Sequence, residues 1–476
     1  MRGPTLAAVI ARRLLGLTPL LAASLLCVGP AAASDSIPVW QAPVKSARSI
    51  SVIASPQASG FAWLAAAGCN KYNDQLRFQA LGVAGMGSVV ALTPCNGPSY
   101  TQFSAPSVTF NQVTHKLYVV WAQTPPNSKI SYLYARASAD GGRSFGKRMT
   151  LRKLTGESYP PVITAAAYAA RIWVMWASTI GHGKRNPLRL AAFDPRSGEA
   201  LPPVQGLGGF YTVPDNASMR IFPSKDGVAV YWLDYSGTNT TWRSADTERI
   251  PASTAFHVRF VYRGLVGLSG HDRLFVGEDG KIYRLTENRD DSDPRAEQAV
   301  YQLSRWAFAS HSFVPAYAEA EVARVGADQL VTSTTVAAQV DAQHALTIVY
   351  QAYDPSRKVC MFGVSVRFNE CQSAIAPVAP AGSLTALRIA PDGSQHPASF
   401  NVPIAPVAPS GAEVLAFPSY FISPENLITS RFGSPRLFTA FAYGQTTSAS
   451  PKDTSVEISQ TAAHQGFLWA PLPATP

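Results

Sequence analysis

Four tryptophans recur in the first half of the chain at nearly constant spacing. Trp63, Trp121, Trp176 and Trp232 are separated by 58, 55 and 56 residues. Three of them end short apolar runs rich in β-branched and aromatic residues, a pattern typical of strands that are buried on both faces. A fixed period of this length indicates that one structural unit is copied along the chain.

The unit around Trp121 divides into four short strand-like runs. They cover 107–110, 116–123, 130–137 and 145–151, and turn residues separate them. Four antiparallel strands in about 50 residues make one blade of a β-propeller. The sequence therefore predicts an all-β chain folded as a β-propeller of four-stranded antiparallel blades. Seven blades fit best, and six or eight remain open.

The period becomes less regular in the second half of the chain. We expect a sixth blade over 320–368, followed by a hairpin over 383–404. In the last blade, 437–443 and 456–459 are expected to form the second and third strands. A ring of blades must close, so we expect the N- and C-terminal segments to share one blade.

The first 33 residues have the pattern of a secretory signal peptide. Basic residues begin the segment, an apolar stretch covers 14–28, and Ala31–Ala33 is a small-residue cleavage site. We expect cleavage near Ala33, which would leave residues 34–476 as a single secreted or periplasmic propeller domain. No later run reaches the ~20 apolar residues of a membrane-spanning helix, so no span is predicted.

Four cysteines remain after the predicted cleavage: Cys69, Cys95, Cys360 and Cys371. An even number of cysteines in an exported protein predicts disulfides. Three pairings are possible. We favour the local one, which joins Cys69 to Cys95 and Cys360 to Cys371.

The charge pattern and the histidine spacing limit the partners that can be expected. The formal net charge is +10, but the basic residues are scattered along the chain rather than clustered, so we expect no nucleic-acid partner. The eight histidines show no metal-binding spacing, and no Gly-rich phosphate loop is present. We therefore expect no metal and no cofactor. The chain is also expected to be a monomer.

One segment matches a known motif at all five of its defining positions. Its pattern is S-x-D-x-G-x-[ST]-[FW], and the matching residues are Ser138, Asp140, Gly142, Ser144 and Phe145. This Asp box resembles the repeats of the sialidase-like, or BNR-repeat, β-propellers. In that family the box is a structural turn between the third and fourth strands of a blade, on the rim away from the catalytic face. The resemblance implies a fold and assigns no chemistry.

The Asp box has a physical rationale of its own. The Asp and Ser side chains can bond backbone groups of the turn, Gly supplies a positive φ, and the aromatic residue packs beneath the blade edge. We interpret Ser244-Ala-Asp246 as a second, degenerate copy of the motif.

The resemblance also implies what an active sialidase of this family would need: three arginines, a Tyr–Glu nucleophile pair and an Asp acid/base. Arg249-Ile-Pro251 matches the family's arginine motif, but it lies mid-chain instead of near the mature N-terminus. No catalytic residue is therefore carried over. The candidate catalytic residues are Tyr317, Glu319 and Glu321, which would share one face of a strand. A solvent-facing strand edge is the competing interpretation.

We therefore expect an exported propeller that binds a glycan or another surface component, or that acts as a scaffold. An exo-sialidase-type glycoside hydrolase is the alternative, and a protein-interaction module is a third interpretation. Solvent-facing aromatic side chains would favour glycan binding. Arginines converging near a Tyr–Glu pair would favour the enzyme.

Overall fold

A computed structural model describes residues between Trp40 and Pro471. The gaps within this span are 42–46, 55–57, 71–72, 83–84, 96–97, 99, 112, 180–185, 211–218, 225, 237–238, 247–262, 266–271, 291–297, 318–320, 326–334, 351–357, 361–374, 377–382, 402–411, 416–426, 430–435, 449–454 and 459–463. Ile37–Pro476 form one compact unit. The predicted signal peptide lies outside the described residues and stays a prediction.

The described residues form strands and no helix. The first strand is β1 (Trp40–Gln41). Blade 1 contains β2 (Ala47–Ala54), β3 (Ser59–Asn70), β4 (Asn73–Gly82) and β5 (Gly85–Ala91). Blade 2 contains β6 (Gln102–Phe103), β7 (Ser107–Asn111), β8 (Lys116–Thr124), β9 (Ile130–Ser138) and β10 (Met149–Thr155). Blade 3 contains β11 (Val162–Tyr168), β12 (Arg171–Ala177), β13 (Asn186–Phe193) and β14 (Ala200–Phe210).

The later strands follow the same order. Blade 4 contains β15 (Met219–Pro223), β16 (Val228–Ser236), β17 (Asn239–Asp246) and β18 (Arg263–Leu265). Blade 5 contains β19 (Arg273–Val276), β20 (Ile282–Asp290), β21 (Gln298–Ala307), β22 (Ser312–Pro315) and β23 (Glu321–Val325). The remaining strands are β24 (Thr335–Val340), β25 (Leu346–Tyr350), β26 (Lys358–Cys360), β27 (Ile375–Ala376), β28 (Ser383–Ile389), β29 (Gln395–Asn401), β30 (Ala412–Leu415), β31 (Leu427–Thr429), β32 (Arg436–Ser448), β33 (Ser455–Ile458) and β34 (His464–Pro471).

The described strands form seven sheets arranged as a closed ring. The innermost strands of successive blades are β2, β7, β11, β15, β19, β24 and β31. Each contacts the next, and β31 contacts β2. Strand pairs in the described chain are antiparallel, except for β26 with β33. The prediction of an all-β propeller with four-stranded antiparallel blades is confirmed. The described ring has seven blades, and the sheets of blades 2, 5 and 7 carry additional strands.

The ring closes through the two ends of the chain. In blade 7 the order from the inside is β31, β32, β34 and β1, so the outermost strand comes from the N-terminal segment. The sequence-based choice of 456–459 as the third strand was wrong. Those residues form β33, which pairs with the far end of β32 and with β26, while β34 takes the third place.

The predicted bounds of the sixth blade were also wrong. Blade 6 consists of β24, β25, β28 and β29, so the hairpin over 383–404 completes it. Strand β23 belongs to blade 5 because it pairs with β21. The long connection between β25 and β28, which are neighbours in blade 6, contains β26 and β27. These two strands belong to the sheet of blade 7.

The periodic tryptophans occupy equivalent places, as predicted. Each lies in the second strand of its blade: Trp63 in β3, Trp121 in β8, Trp176 in β12 and Trp232 in β16. All four are at least 97% buried. Trp121, Trp176 and Trp232 pack in the apolar layers between blades 1 and 2, 2 and 3, and 3 and 4, respectively. The repeat is therefore a packing device between blades.

Hydroxyl side chains join the inner strands of the first three blades. Ser51 Oγ accepts a hydrogen bond from the Val108 amide at 3.1 Å. One blade further on, Ser107 Oγ accepts one from the Ala165 amide at 2.9 Å. Ser51 and Ser107 hold the same position, because each is opposite the residue before the blade's periodic tryptophan. An innermost strand is a sheet edge, and these hydroxyls satisfy amides that it leaves unpaired.

We predict that Trp176→Ala lowers the free energy of unfolding by about 3–5 kcal/mol, because it leaves a cavity in the layer between blades 2 and 3. Trp176→Phe should cost less, since most of the ring volume remains. Tyr159→Ala, which removes an aromatic side chain that is 58% exposed, serves as the control and should change stability little. Denaturant unfolding of the three variants checks the order. An equal loss in Trp176→Ala and Tyr159→Ala would contradict the packing role.

Candidate functional site

The two faces of the ring are defined by its loops. In a four-stranded meander, the turns between strands 1 and 2 and between strands 3 and 4 lie at one end. The loop between strands 2 and 3 and the connection to the next blade lie at the other end. We call the first end the lower face and the second the upper face. The Asp box, between β9 and β10, lies on the lower face.

A groove of about 260 Å³ opens on the upper face between blades 1 and 2. Its lining comes from the start of β4, the connection between the two blades, strands β6, β8 and β9, and the residue before β10. The lining residues are Asn73, Asp74, Thr93, Pro94, Pro98, Thr101, Phe103, Gln123, Tyr134 and Arg148. The groove therefore combines aromatic rings with planar polar side chains.

The wall of the groove is fixed by a disulfide. Cys69 at the end of β3 is joined to Cys95 in the connection after β5, which is the pairing expected from the sequence. Thr93, two residues before Cys95, accepts a bond from the Leu76 amide at 3.0 Å through its hydroxyl. Its carbonyl accepts a second bond, from Gln75 Nε2 at 3.2 Å. The pairing of Cys360 with Cys371 lies outside the described residues.

Tyr100 projects from this anchored connection. It is 62% exposed, and its φ of 63° places it in the left-handed region, which is uncommon for a residue with a Cβ. The buried Asn73 side chain accepts a hydrogen bond from the Tyr100 amide at 3.0 Å. A strained backbone that its neighbours hold in place is more frequent at functional sites than elsewhere.

One polar side chain that lines the groove has an atom without a hydrogen-bond partner among the described residues. The carbonyl oxygen of the Gln123 side chain is buried and accepts no hydrogen bond from the described residues. A buried acceptor without a partner is rare, and a polar ligand group can satisfy it. Asp74 adds a carboxylate to the lining.

One residue of the groove lining is an exposed cation that stacks on an aromatic ring. The Arg148 guanidinium lies 4.2 Å from the centre of the Tyr134 ring, and that ring stacks on Tyr132 with centroids 5.7 Å apart. Burial raises the pKa of the Tyr134 hydroxyl, and the nearby Arg148 charge opposes the rise. The hydroxyl therefore stays protonated at neutral pH and can donate a hydrogen bond.

The next connection on the upper face carries the other exposed aromatic residue of the described chain. Tyr159 lies between blades 2 and 3. Its carbonyl accepts a bond from Thr179 Oγ1 at 2.5 Å, and the buried Glu157 carboxylate accepts one from the Thr179 amide at 2.7 Å. Both exposed aromatic residues thus lie on the upper face, on connections that hydrogen bonds hold in place.

The Asp-box residues form a closed set of hydrogen bonds on the lower face. Asp140 accepts bonds from the Ser144 amide at 2.9 Å, the Ser144 hydroxyl at 2.5 Å and the Ser138 hydroxyl at 2.7 Å. Ser138 Oγ in turn accepts the Gly142 amide at 2.8 Å. Burial would raise the pKa of Asp140, but these bonds outweigh it and lower the pKa to about 2.

The rest of the motif faces blade 1. Gly142 has a φ of 97°, and a Cβ there would collide with the Phe78 ring. The Phe145 ring packs edge-on against Phe78 with centroids 5.2 Å apart. The turn thus closes over a buried ring of the neighbouring blade. Its assignment as a purely structural Asp box stays a prediction.

The degenerate copy proposed at Ser244-Ala-Asp246 lies elsewhere. The two motifs can be compared by their distance from the residue that pairs with the periodic tryptophan of the blade. In blade 2 that residue is Tyr134, and Ser138 and Asp140 come four and six residues after it. Asp246 comes three residues after Arg243, which is opposite Trp232, so Asp246 still lies within β17. Its carboxylate is buried and bonds residues of blade 5. The interpretation as a box was wrong, because the register places it inside the strand.

Two of the three catalytic candidates, Tyr317 and Glu321, lie at the outer edge of blade 5. Tyr317 follows β22 and Glu321 begins β23, and both strands pair with the outer side of β21. The Tyr317 hydroxyl donates to the His344 carbonyl in blade 6 at 2.6 Å. These residues therefore do not belong to the innermost strands that surround the ring axis. Glu319 lies outside the described residues, and the side chain of Glu321 is not described.

Arg249 lies in the gap 247–262, and so the arginine motif remains a sequence observation. Within the described chain, no group of three or more His, Cys, Asp or Glu side chains could hold a metal ion. No described helix has the length and apolar character to cross a bilayer.

No protein-family model and no curated protein sequence matches this chain. Solved structures do match. The chain is similar to an α-L-arabinofuranosidase from Lactobacillus brevis, with 10% identity and a TM-score of 0.34 over 59% of this chain and 98% of that one. It is also similar to a xylan β-1,4-xylosidase from Bacillus halodurans C-125, with 10% identity and a TM-score of 0.33 over 91% and 97% of the two chains. An α-L-arabinanase from Penicillium chrysogenum, complexed with arabinobiose, matches with 8% identity and a TM-score of 0.37 over 66% and 94%. Similarities at this level assign no activity to the chain.

We predict that Asp140→Ala lowers the free energy of unfolding by about 1–2 kcal/mol, because the turn loses the acceptor of several donors. The effect is limited by solvent, since the carboxylate is exposed. The folded-state pKa is depressed, so this stabilisation is present above the unfolded pKa of about 3.9 and is lost as the pH falls towards about 2.

Melting temperatures of the wild type and Asp140→Ala, measured from neutral to acidic pH, check this prediction. The two should differ most near neutrality and converge at low pH. A difference that is independent of pH would show that the carboxylate charge does not matter to the turn.

Proposed function

We propose that this chain is an exported, sialidase-like β-propeller that binds a glycan in the upper-face groove between blades 1 and 2. The single observation that supports this most strongly is Tyr100. It is an exposed aromatic side chain, held by Asn73 at the edge of a groove that contains Gln123, Asp74 and Arg148.

The lining matches the chemistry of a sugar ring. A pyranose has an apolar face of C–H groups and a rim of hydroxyls that both donate and accept hydrogen bonds. Tyr100 and Phe103 offer aromatic rings to the apolar face of the sugar. Gln123 and Asp74 accept bonds from hydroxyls, and Arg148 donates them. Sites of this kind use apolar contact for affinity and a few polar groups for orientation.

The groove is organised before a ligand arrives. The disulfide between Cys69 and Cys95, the bonds to Thr93 and the bond from Tyr100 to Asn73 fix the connection that carries the aromatic side chain. Binding to such a surface avoids much of the entropy cost of ordering a loop. A disulfide also suits the oxidising compartments that a signal peptide gives access to.

We predict that Tyr100→Ala weakens glycan binding about tenfold, which corresponds to the loss of one aromatic stacking contact. A glycan array with the mature protein identifies the ligand, and calorimetry then compares the variant with the wild type. Val113→Ala is the matched control. It truncates an exposed apolar side chain, 65% exposed, in the turn between β7 and β8 on the lower face.

Unchanged affinity in Tyr100→Ala would contradict the groove as the binding site. A fluorogenic sialoside assay on the same preparation separates binding from hydrolysis. Turnover that is lost on replacing Tyr317 or Glu319 would contradict the binding proposal and support the hydrolase.

A further inference from the structure

The outer edge of blade 2 carries a run of cations. Lys147 and Arg148 precede β10, and Arg152 and Lys153 lie within it, so four of seven consecutive residues are basic. The segment 141–155 contains no acidic residue. Lys147, Arg148 and Lys153 are exposed. This edge is therefore a positively charged surface, and it is a local exception to the scattered distribution of basic residues along the chain.

Protection of an exposed sheet edge does not explain this run. Edge strands commonly carry charged side chains, because charge discourages pairing with another chain. The outermost strands of blades 1 and 3, β5 and β14, contain no charged residue, so the ring does not rely on this device. A run of one sign on a single blade instead favours a ligand of the opposite sign.

Two of the cations lie on the side of blade 2 that faces blade 1. The Arg148 guanidinium lies over the ring of Tyr134, which packs in the layer between the two blades. Lys153 is paired with Tyr132 in the register of β10 and β9, and residues directly opposite each other share one face of a sheet. Tyr132 packs against the same layer. Since Arg148 also lines the groove, the charged edge continues from the groove itself.

The described chain supplies no counter-ion to these two cations. Arg148 and Lys153 form no ion pair with a carboxylate of the described residues. A third cation on the same side, Arg136, donates to the backbone carbonyls of Leu92 at 2.9 Å and Gly146 at 2.7 Å. Burial and the charge of Arg148 both lower the pKa of the Arg136 guanidinium. The positive charges are thus close enough to repel one another, and a bound anion relieves that repulsion.

The groove alone does not select for charge, because its lining contains both Asp74 and Arg148. Selection must come from the edge beyond Arg148. The strand between Arg148 and Lys153 is about 15 Å long at the usual rise per residue. A single sugar ring does not span that length, so a ligand that uses both cations is an extended chain.

We propose that the glycan bound by this propeller is a polyanion whose chain leaves the groove and follows the outer edge of blade 2. This inference rests on the proposed binding of a glycan in the groove, and it names the chemical class of that glycan. Carboxylate or sulfate groups on separate sugars of the chain accept charge-assisted hydrogen bonds from Arg148 and Lys153. The competing possibility is that the cations only keep the edge of blade 2 soluble.

A short oligogalacturonate and its methyl ester form the first pair of probes, because they share a backbone and differ in charge. Calorimetry on the mature protein should show the acid binding about tenfold more tightly than the ester, and the difference should shrink as salt is raised. Oligosaccharides of dextran sulfate and of dextran form a second pair, which tests sulfate in place of carboxylate. Preference for either charged member supports the proposal, and the stronger preference identifies the charged group.

Lys153→Gln should weaken binding of the preferred anionic oligosaccharide about threefold to tenfold. It should leave the neutral partner unchanged, because Lys153 does not line the groove. Arg148→Gln should weaken the anionic member more than the neutral one. Both side chains are exposed, so folding should stay intact. Lys116→Gln is the matched control, since it removes an exposed cation at the start of β8 on the lower face, and it should have no effect.

Equal affinity for charged and neutral members, or no effect of Lys153→Gln on the anionic one, would overturn this inference. The groove proposal would still stand if the neutral member binds and Tyr100→Ala weakens it. No binding of any member at millimolar concentration would overturn both. Double-stranded DNA is the comparison polyanion. If it binds as tightly as the anionic oligosaccharide, the edge is a general anion contact and the proposed selection of a glycan is wrong.

Discussion

The hydrogen bonds that hydroxyl side chains accept from the innermost strand of the next blade are the contacts on which the first three blades of the ring depend. An inner strand pairs on one side only, so its outward amides need other acceptors. Ser51 supplies one to Val108, Ser107 supplies one to Ala165, and Thr109 supplies one to Ala167 at 2.8 Å. These bonds join blade 1 to blade 2 and blade 2 to blade 3 at their innermost strands.

Once the inner strands are set, the apolar layers follow. Equivalent tryptophans on the second strands fill the spaces between the first four blades, and their indoles are nearly removed from solvent. Between blades 1 and 2 a disulfide fixes the outer connection above the packed layer. Between blades 4 and 5 a buried carboxylate crosses the junction.

The sequence predicted the fold well wherever the repeat was visible. The tryptophan period correctly predicted the second strands of four blades. Equivalent strands of a repeat are buried in the same way and therefore carry the same types of side chain. The bounds of the sixth blade were predicted wrongly because a long insertion, which contains β26 and β27, separates β25 from β28 and interrupts the period. Ser244-Ala-Asp246 resembled a turn motif. A three-residue match does not show whether the residues lie within a strand or after its end, and these lie within β17.

The sites could be predicted far less. The groove gathers Asn73, Thr101, Gln123 and Arg148 from segments that are separate in sequence, and none of them belongs to a motif. One signal was present: a polar segment with two prolines, Pro94 and Pro98, between two strand-like runs and next to a cysteine. It indicates a fixed loop. Which side chains that loop would meet depends on how neighbouring blades pack.

Hydrogen–deuterium exchange of Ser107→Ala, read by peptide mass spectrometry, tests the central role of the inner-strand bonds most directly. Removal of the hydroxyl takes the acceptor from the Ala165 amide, so peptides that cover β11 should exchange faster than in the wild type. Ser128→Ala, in the turn before β9, is the control and should leave β11 unchanged. Unchanged exchange across β11 in folded Ser107→Ala would contradict the account, because the blades would then be held in register without these bonds.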